Sequence, residues 1–165
     1  MTEPKTRARI IGKLDAPPEP PIGSMRNRYL INGGDTGGRF SVVQHLFEPR
    51  ALGGPMHRHK NEDEYTFVVS GEIGAISNGQ EIYASAGEWI FKPRDEWHTF
   101  WNNTDEPAAV LEVISPAGFE DFFKECTRLT DPLSESLLTE MAAAYGIDFD
   151  WPVTPAVIER HGLVF

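Results

Sequence analysis

His57 and His59 stand one residue apart in the stretch GPMHRHKNEDE, which then runs into Glu62, Asp63 and Glu64. Side chains of an extended chain repeat every second residue, so these two imidazoles project from one face. Imidazole and carboxylate together suit divalent iron, manganese, nickel, cobalt or zinc. The pair is therefore half a metal site, and the other half must come from another strand, because an ion inside a barrel is clasped from opposite walls. His98, in GEWIFKPRDEWHTFWN, is the candidate. His45 and His161 stand alone and are read as structural or exposed. His161, just before Gly162, fits a helix C-terminus, where positive charge is favoured.

The elements that must position these groups are legible as short β-rich runs between turn residues. Strands are expected at MRNRYLI, RFSVVQHLF, PMHRH, EYTFVVS, EIGAIS, QEIYA, EWIFK, HTFWN and AAVLEVI. The segments NGGDTGG, SGE, SNGQ, SAGE and NNTDEP supply Gly or Asn for positive φ, or Pro and Asp to start a reversal. Residues 26–116 thus form an all-β barrel or sandwich. Residues 1–25 contain KTRARIIGKL and the proline cluster APPEPPIG and read as an extended arm or linker, either disordered or pairing IIGKL as a strand with a neighbouring subunit's sheet. Residues 117–165 read as a helical tail. Phe119, Phe122, Phe123, Cys126 and Leu129 share one face, and a second helix has Asp131 and Pro132 at its start, Leu137, Leu138, Met141 and Tyr145 as its stripe, and Gly146 as its stop. A third helix runs from Thr154 and Pro155 to Gly162.

HRHKNEDEYTFVVSG gives His57, one residue, His59, four residues, Glu64, then six residues to Gly71. From Gly87, five residues lead to Pro93, His98 follows five further on, and Asn102 closes the stretch. These spacings resemble the two cupin motifs in their usual order, over roughly residues 40–114. Two positions depart from the pattern, Ala51 and Asp95 standing where glycines are usual. The resemblance implies a cupin jelly-roll, a double-stranded β-barrel, holding one divalent transition metal ion (Fe, Ni, Co, Mn or Zn) through His57, His59, Glu64 and His98. Among the three neighbouring acids, Glu64 alone satisfies both motif spacings and begins the run YTFVV, whereas Glu62 and Asp63 are read as a solvated turn.

If Glu64 points inward, so do Thr66 and Val68; if His98 does, so does Phe100, with Thr99 and Trp101 outward. On FSVVQHLF either Phe40, Val42, Gln44 and Leu46 or their alternates face the core, and the first set makes Gln44 a candidate ligand contact. Phe40, Gln44, Thr66 and Phe100 are accordingly the expected pocket residues. The many aromatics near the motifs suit a planar or apolar ligand better than a phosphosugar, for which Lys92 and Arg94 would be the remaining cations. A barrel followed by PAGFEDFF and a helical tail is similar to bacterial monocupins of the quercetinase type. That resemblance implies a dioxygenase of a small flavonol-like substrate, with Glu64 also acting as base. A redox-neutral metal-dependent isomerase, cyclase or hydrolase, and a cupin that only binds a small molecule, are the alternatives.

The remaining composition bounds the partners. In 165 residues a formal charge of -10 argues against nucleic acid and anionic membrane, which need a positive surface. Cys126, the single cysteine, forms no internal disulfide and is read as packing. The start MTEPKTRARI lacks the apolar core of a secretory signal, and no run approaches the ~20 apolar residues of a membrane span. A cytoplasmic protein is expected, and a homodimer by analogy with other monocupins.

Overall fold

The computed structural model describes residues 8–12, 16–129 and 134–165. In chain order its strands are β1 (Met25–Ile31), β2 (Ser41–Phe47), β3 (His57–His59), β4 (Asp63–Ser70), β5 (Glu72–Ser77), β6 (Gln80–Ser85), β7 (Trp89–Lys92), β8 (His98–Asn102), β9 (Ala108–Ser115) and β10 (Ile147–Phe149). The helices are α1 (Gly33–Thr36), α2 (Glu120–Arg128), α3 (Glu135–Ala143) and α4 (Thr154–His161). All the strands expected from the sequence are present.

The strands form two five-stranded antiparallel sheets, ordered β1-β2-β9-β4-β7 and β10-β3-β8-β5-β6. This is the two-sheet jelly roll that the motif resemblance implies. Alternation along each strand gives the sheets an inner apolar face, and the two faces meet in one core. Phe47, Val68, Ile90 and Val110 from the first sheet pack against Ile73, Ala75 and Phe100 from the second. The outer face of the first sheet is also apolar near β7, where Tyr65 stacks on Phe91 and Trp89 is 59% exposed.

The tail differs from the all-helical expectation. After Gly146, in the left-handed conformation at φ 72°, residues Ile147–Phe149 add β10 to the edge of β3. Its partners are Ile147 with His59 and Phe149 with His57, and Asp148 ties the two strands by accepting from Arg58 and Lys60. β3 pairs with β8 only at His57 and His98, so the tail strand is its main support. Ser134 caps α3 by accepting from the Leu137 N–H, while Asp131 and Pro132 lie outside the described residues. On the far side, α4 and the C-terminal segment cover β8. Trp101, expected to face outward, is covered there and fully buried with Leu52, Met56, Val157 and Leu163, and it stacks on His161 at 4.4 Å.

Part of the arm folds back on its own barrel, since the Glu19 N–H donates to the Asn27 carbonyl and Ile22 bridges to Met25. Ile10, the first residue of IIGKL, is 94% exposed, and residues 13–14 of that stretch lie outside the described residues. No helix among the described residues is long and apolar enough to cross a membrane.

Candidate metal centre

Both sheets contribute to the centre. His57 and His59 are the two ends of β3, His98 opens β8 directly opposite His57, and Glu64 reaches across from β4 in the facing sheet. All four side chains are buried, and one ligand atom from each lies within 4.8 Å of the others. This group could hold a metal ion.

The hydrogen bonds of the imidazoles decide what it could hold. His57 Nδ1–H donates to the Pro55 carbonyl at 2.7 Å, and His98 Nδ1–H donates to the Glu96 carbonyl at 3.0 Å. A carbonyl only accepts, so Nδ1 carries the proton and Nε2 keeps a lone pair. His59 Nδ1 faces a carboxylate, Glu62 Oε2, at 3.4 Å. Toward the centre, His98 Nε2 is 3.3 Å from Glu64 Oε2 and His59 Nε2 is 3.4 Å from Glu64 Oε1, yet neither nitrogen has a hydrogen-bond partner. Lone pairs of imidazole facing a carboxylate at this range repel one another unless a proton or a cation lies between them. Protonation is opposed by burial, which pulls His57 well below its usual range with help from His98 and His59, and lowers His98 despite the adjacent Glu64. The donor set and its orphaned nitrogens therefore fit a divalent cation, and the Nδ1 contacts are the supports that such ligands require.

Glu64 is held ionised by a buried cation. Burial pushes its carboxyl up, but the Lys92 ammonium outweighs burial and keeps it well below the usual carboxylate range. Lys92 Nζ sits 2.8 Å from Glu64 Oε2 and 3.1 Å from Glu112 Oε2, and 4.1 Å from the centre of the Phe100 ring. Burial opposes the lysine's charge, and Glu112 and Glu64 more than restore it. Glu112 itself is pushed up to about 7 by burial, against the pull of Lys92, while Thr66 Oγ1 donates to both its oxygens at 2.8 and 3.0 Å.

The centre opens on an apolar cavity of about 60 Å³. Phe100, Phe119, Phe122 and Phe123 wall it, α3 adds Leu138 and β10 adds Phe149. His57 and Glu64 belong to both cluster and cavity, and His45 also reaches in. Cys126 lines the same wall, its thiol pushed up to about 11 by burial.

Several expectations need correction. On β2 the inward set is Ser41, Val43, His45 and Phe47. Phe40 and Gln44 are on the other side, and Gln44 Oε1 accepts from Arg28 at 2.7 Å. His45, read as structural or exposed, takes the structural alternative, buried against Asn27, and also lines the cavity. Thr66 points inward but is bound to Glu112, whereas Phe100 lines the cavity. Glu62, read as part of a solvated turn, is buried beside His59, and Asp63 is half-buried and paired with Arg94 at 2.7 Å. That pairing and the two carboxylates on Lys92 occupy the cations that a sugar phosphate would need. Lys92 and Glu112 were missed as a pair, although both alternate in phase with inward neighbours, Ile90 on β7 and Val110 and Ile114 on β9.

Two outcomes follow for the metal-free protein. Replacing Lys92 by Met leaves Glu64 and Glu112 uncompensated in the interior, so denaturant unfolding should show a loss of about 3–5 kcal/mol; a loss below ~1 kcal/mol would show that the lysine does not neutralise them. The second concerns acid. His45 has its pKa lowered from 6.5 to about 3, and His57 and His98 move in the same direction, so the unfolded chain binds more protons below pH 6.5. Their stability contribution is complete above 6.5 and falls as pH drops. Glu112, raised from 4.5 to about 7, opposes this with the other sign between those values. Three groups outweigh one, and unfolding free energy measured from pH 7.5 to 5 should decline by roughly 1–3 kcal/mol per pH unit below 6.5. A flat or rising profile would contradict the buried neutral imidazoles.

Comparison with known proteins agrees with this geometry. Residues 43–114 match the family described as Cupin domain, a span that contains all four clustered side chains. The chain is 26% identical over 89 residues to the tetracenomycin polyketide synthase protein TcmJ of Streptomyces glaucescens, covering 54% of this chain and 60% of that protein. It therefore spans less than two thirds of this curated relative. Among solved structures, an RmlC-like cupin from Shewanella frigidimarina aligns with a TM-score of 0.57 at 22% identity, covering 71% of this chain and 98% of its own. The polyketide cyclase RemF from Streptomyces resistomycificus aligns with a TM-score of 0.57 at 24% identity, covering 66% of this chain and 80% of its own. At these identities the structural likeness is one of fold. The matched segment and the shared architecture agree: residues 43–114 resemble the Cupin domain family, and the fold of the chain is the cupin jelly roll.

Proposed function

We propose that this cupin is a metal-dependent dioxygenase of a small aromatic, enolisable ligand, the chemistry implied by its resemblance to quercetinase-type monocupins. The observation that carries the reading is that His57 and Glu64 belong at once to the four-residue cluster and to a cavity walled by phenylalanines. A planar ligand in that cavity places an acidic hydroxyl beside Glu64. Lys92 keeps Glu64 a carboxylate, able to take the hydroxyl proton. His57, His59, His98 and Glu64 would hold the ion, which when bound supplies a Lewis acid for the ligand's oxyanion and, if redox-active, a path for electrons toward dioxygen. The phenylalanines of α2, with α3 and β10, exclude water from the ligand and so strengthen these interactions.

The similarity to a polyketide synthase protein, together with the fold shared with the polyketide cyclase RemF, supports a second reading, redox-neutral cyclisation or isomerisation without dioxygen. One experiment separates them. Metal-free protein is loaded in turn with iron, cobalt, nickel, manganese or zinc and offered flavonols, catechols and polyketide-type aromatics, with oxygen uptake and product mass followed together. The dioxygenase reading expects uptake matched to ligand loss with a redox-active metal, slowed about 100-fold or more in Glu64→Gln. Equal conversion under nitrogen, supported by zinc, would establish the second reading instead. Tight binding with no conversion under any metal would reduce the protein to a small-molecule binder.

A further inference from the structure

His45 is a cavity-lining imidazole outside the four-residue cluster, and the dioxygenase reading gives it no task. It is 1% exposed. Its Nδ1 lies 2.7 Å from Asn27 Oδ1, an amide oxygen that only accepts, so Nδ1 carries the proton and Nε2 the lone pair. Asn27 is itself fully buried on β1, which fixes the ring from behind. Nε2 makes no hydrogen bond to any described residue. Around the ring stand Phe123 at 5.5 Å, Phe100 at 6.1 Å and Phe47 at 6.3 Å, none of which can donate. Burial, with Lys92 adding to it and Glu64 opposing, holds the imidazole neutral at ordinary pH. An acceptor kept neutral and oriented beside an apolar cavity is a partner for a donor that arrives with the occupant.

We propose that His45 Nε2 accepts a hydrogen bond from a hydroxyl carried on the aromatic ring of the ligand, and thereby sets which edge of that ring faces His57 and Glu64. The ligand class narrows to phenols, since an aromatic hydrocarbon or an aryl ether brings no proton for this nitrogen. The assignment rests on reading the cavity as the ligand's seat, and it does not depend on the ion.

The test uses the full chain freed of metal by chelation, with phenol and its near-isostere toluene as single-ring probes measured by calorimetry. The affinity ratio of phenol to toluene should be at least tenfold higher in the native protein than in His45→Leu. His45→Gln, whose side-chain oxygen still accepts, should keep part of that preference and guards against a leucine variant that fails to fold. An unchanged ratio in a folded His45→Leu variant, or a native protein that takes up neither probe, overturns the assignment. Cobalt titration of the same preparations reads the ion site separately. A protein that prefers phenol through His45 but takes up no cobalt sinks the metal reading and leaves His45 standing, whereas cobalt uptake with an unchanged ratio sinks the His45 assignment alone.

Discussion

Three imidazoles and a carboxylate meet inside the barrel with their acceptor atoms turned toward one another, and much of the structure serves to hold them in that unfavourable arrangement. Carbonyls of Pro55 and Glu96 accept from the Nδ1 sides of His57 and His98, and the Glu62 carboxylate stands 3.4 Å from His59 Nδ1, so the Nε2 sides are turned toward the centre. β3, only three residues long, is kept in place by β10, which the chain supplies from beyond the barrel. The C-terminal tail is in this sense part of the centre, since it braces two of the histidines and walls the cavity they face.

Charge inside the barrel is organised around the same point. A lone buried carboxylate would take a proton; Glu64 does not need to, because Lys92 lies against it. The lysine in turn has two acids, and the second, Glu112, is satisfied by Thr66. Such a chain adds little net stability over an apolar replacement, but it fixes the charge state and position of Glu64, which any ligand or base role requires. The cavity that borders it is otherwise apolar, so the few polar groups that enter decide how an occupant is oriented.

How much of this could be read beforehand depended on what each strand's alternation signalled. His57, His59, Glu64 and His98 were legible because their spacing is tied to motif positions. On β2 the alternation was ambiguous, since Val42 and Leu46 on the outer side are as apolar as Val43 and Phe47 on the inner. Only pairing with β9, which sets Val43 opposite Glu112, resolves it. The inward Lys92 was hidden by Trp89 and Phe91, large aromatics that stand exposed on the outer face and make the strand read the wrong way round. Asp95 shows the opposite case. It replaces a motif glycine yet keeps the left-handed turn at φ 63°, a conformation that Asp tolerates better than most residues, with its N–H donating to the His59 carbonyl. β10 gave no such signal, because three residues after a glycine are too few for a period to show.

The central claim is that these four side chains close on one cation. X-ray absorption on protein loaded with a single equivalent of cobalt or nickel measures this directly. The account predicts a shell of nitrogen and oxygen with outer scattering from three imidazoles, dropping to two in His98→Ala. A bound ion showing no imidazole scattering, or three imidazoles retained in that variant, would contradict it.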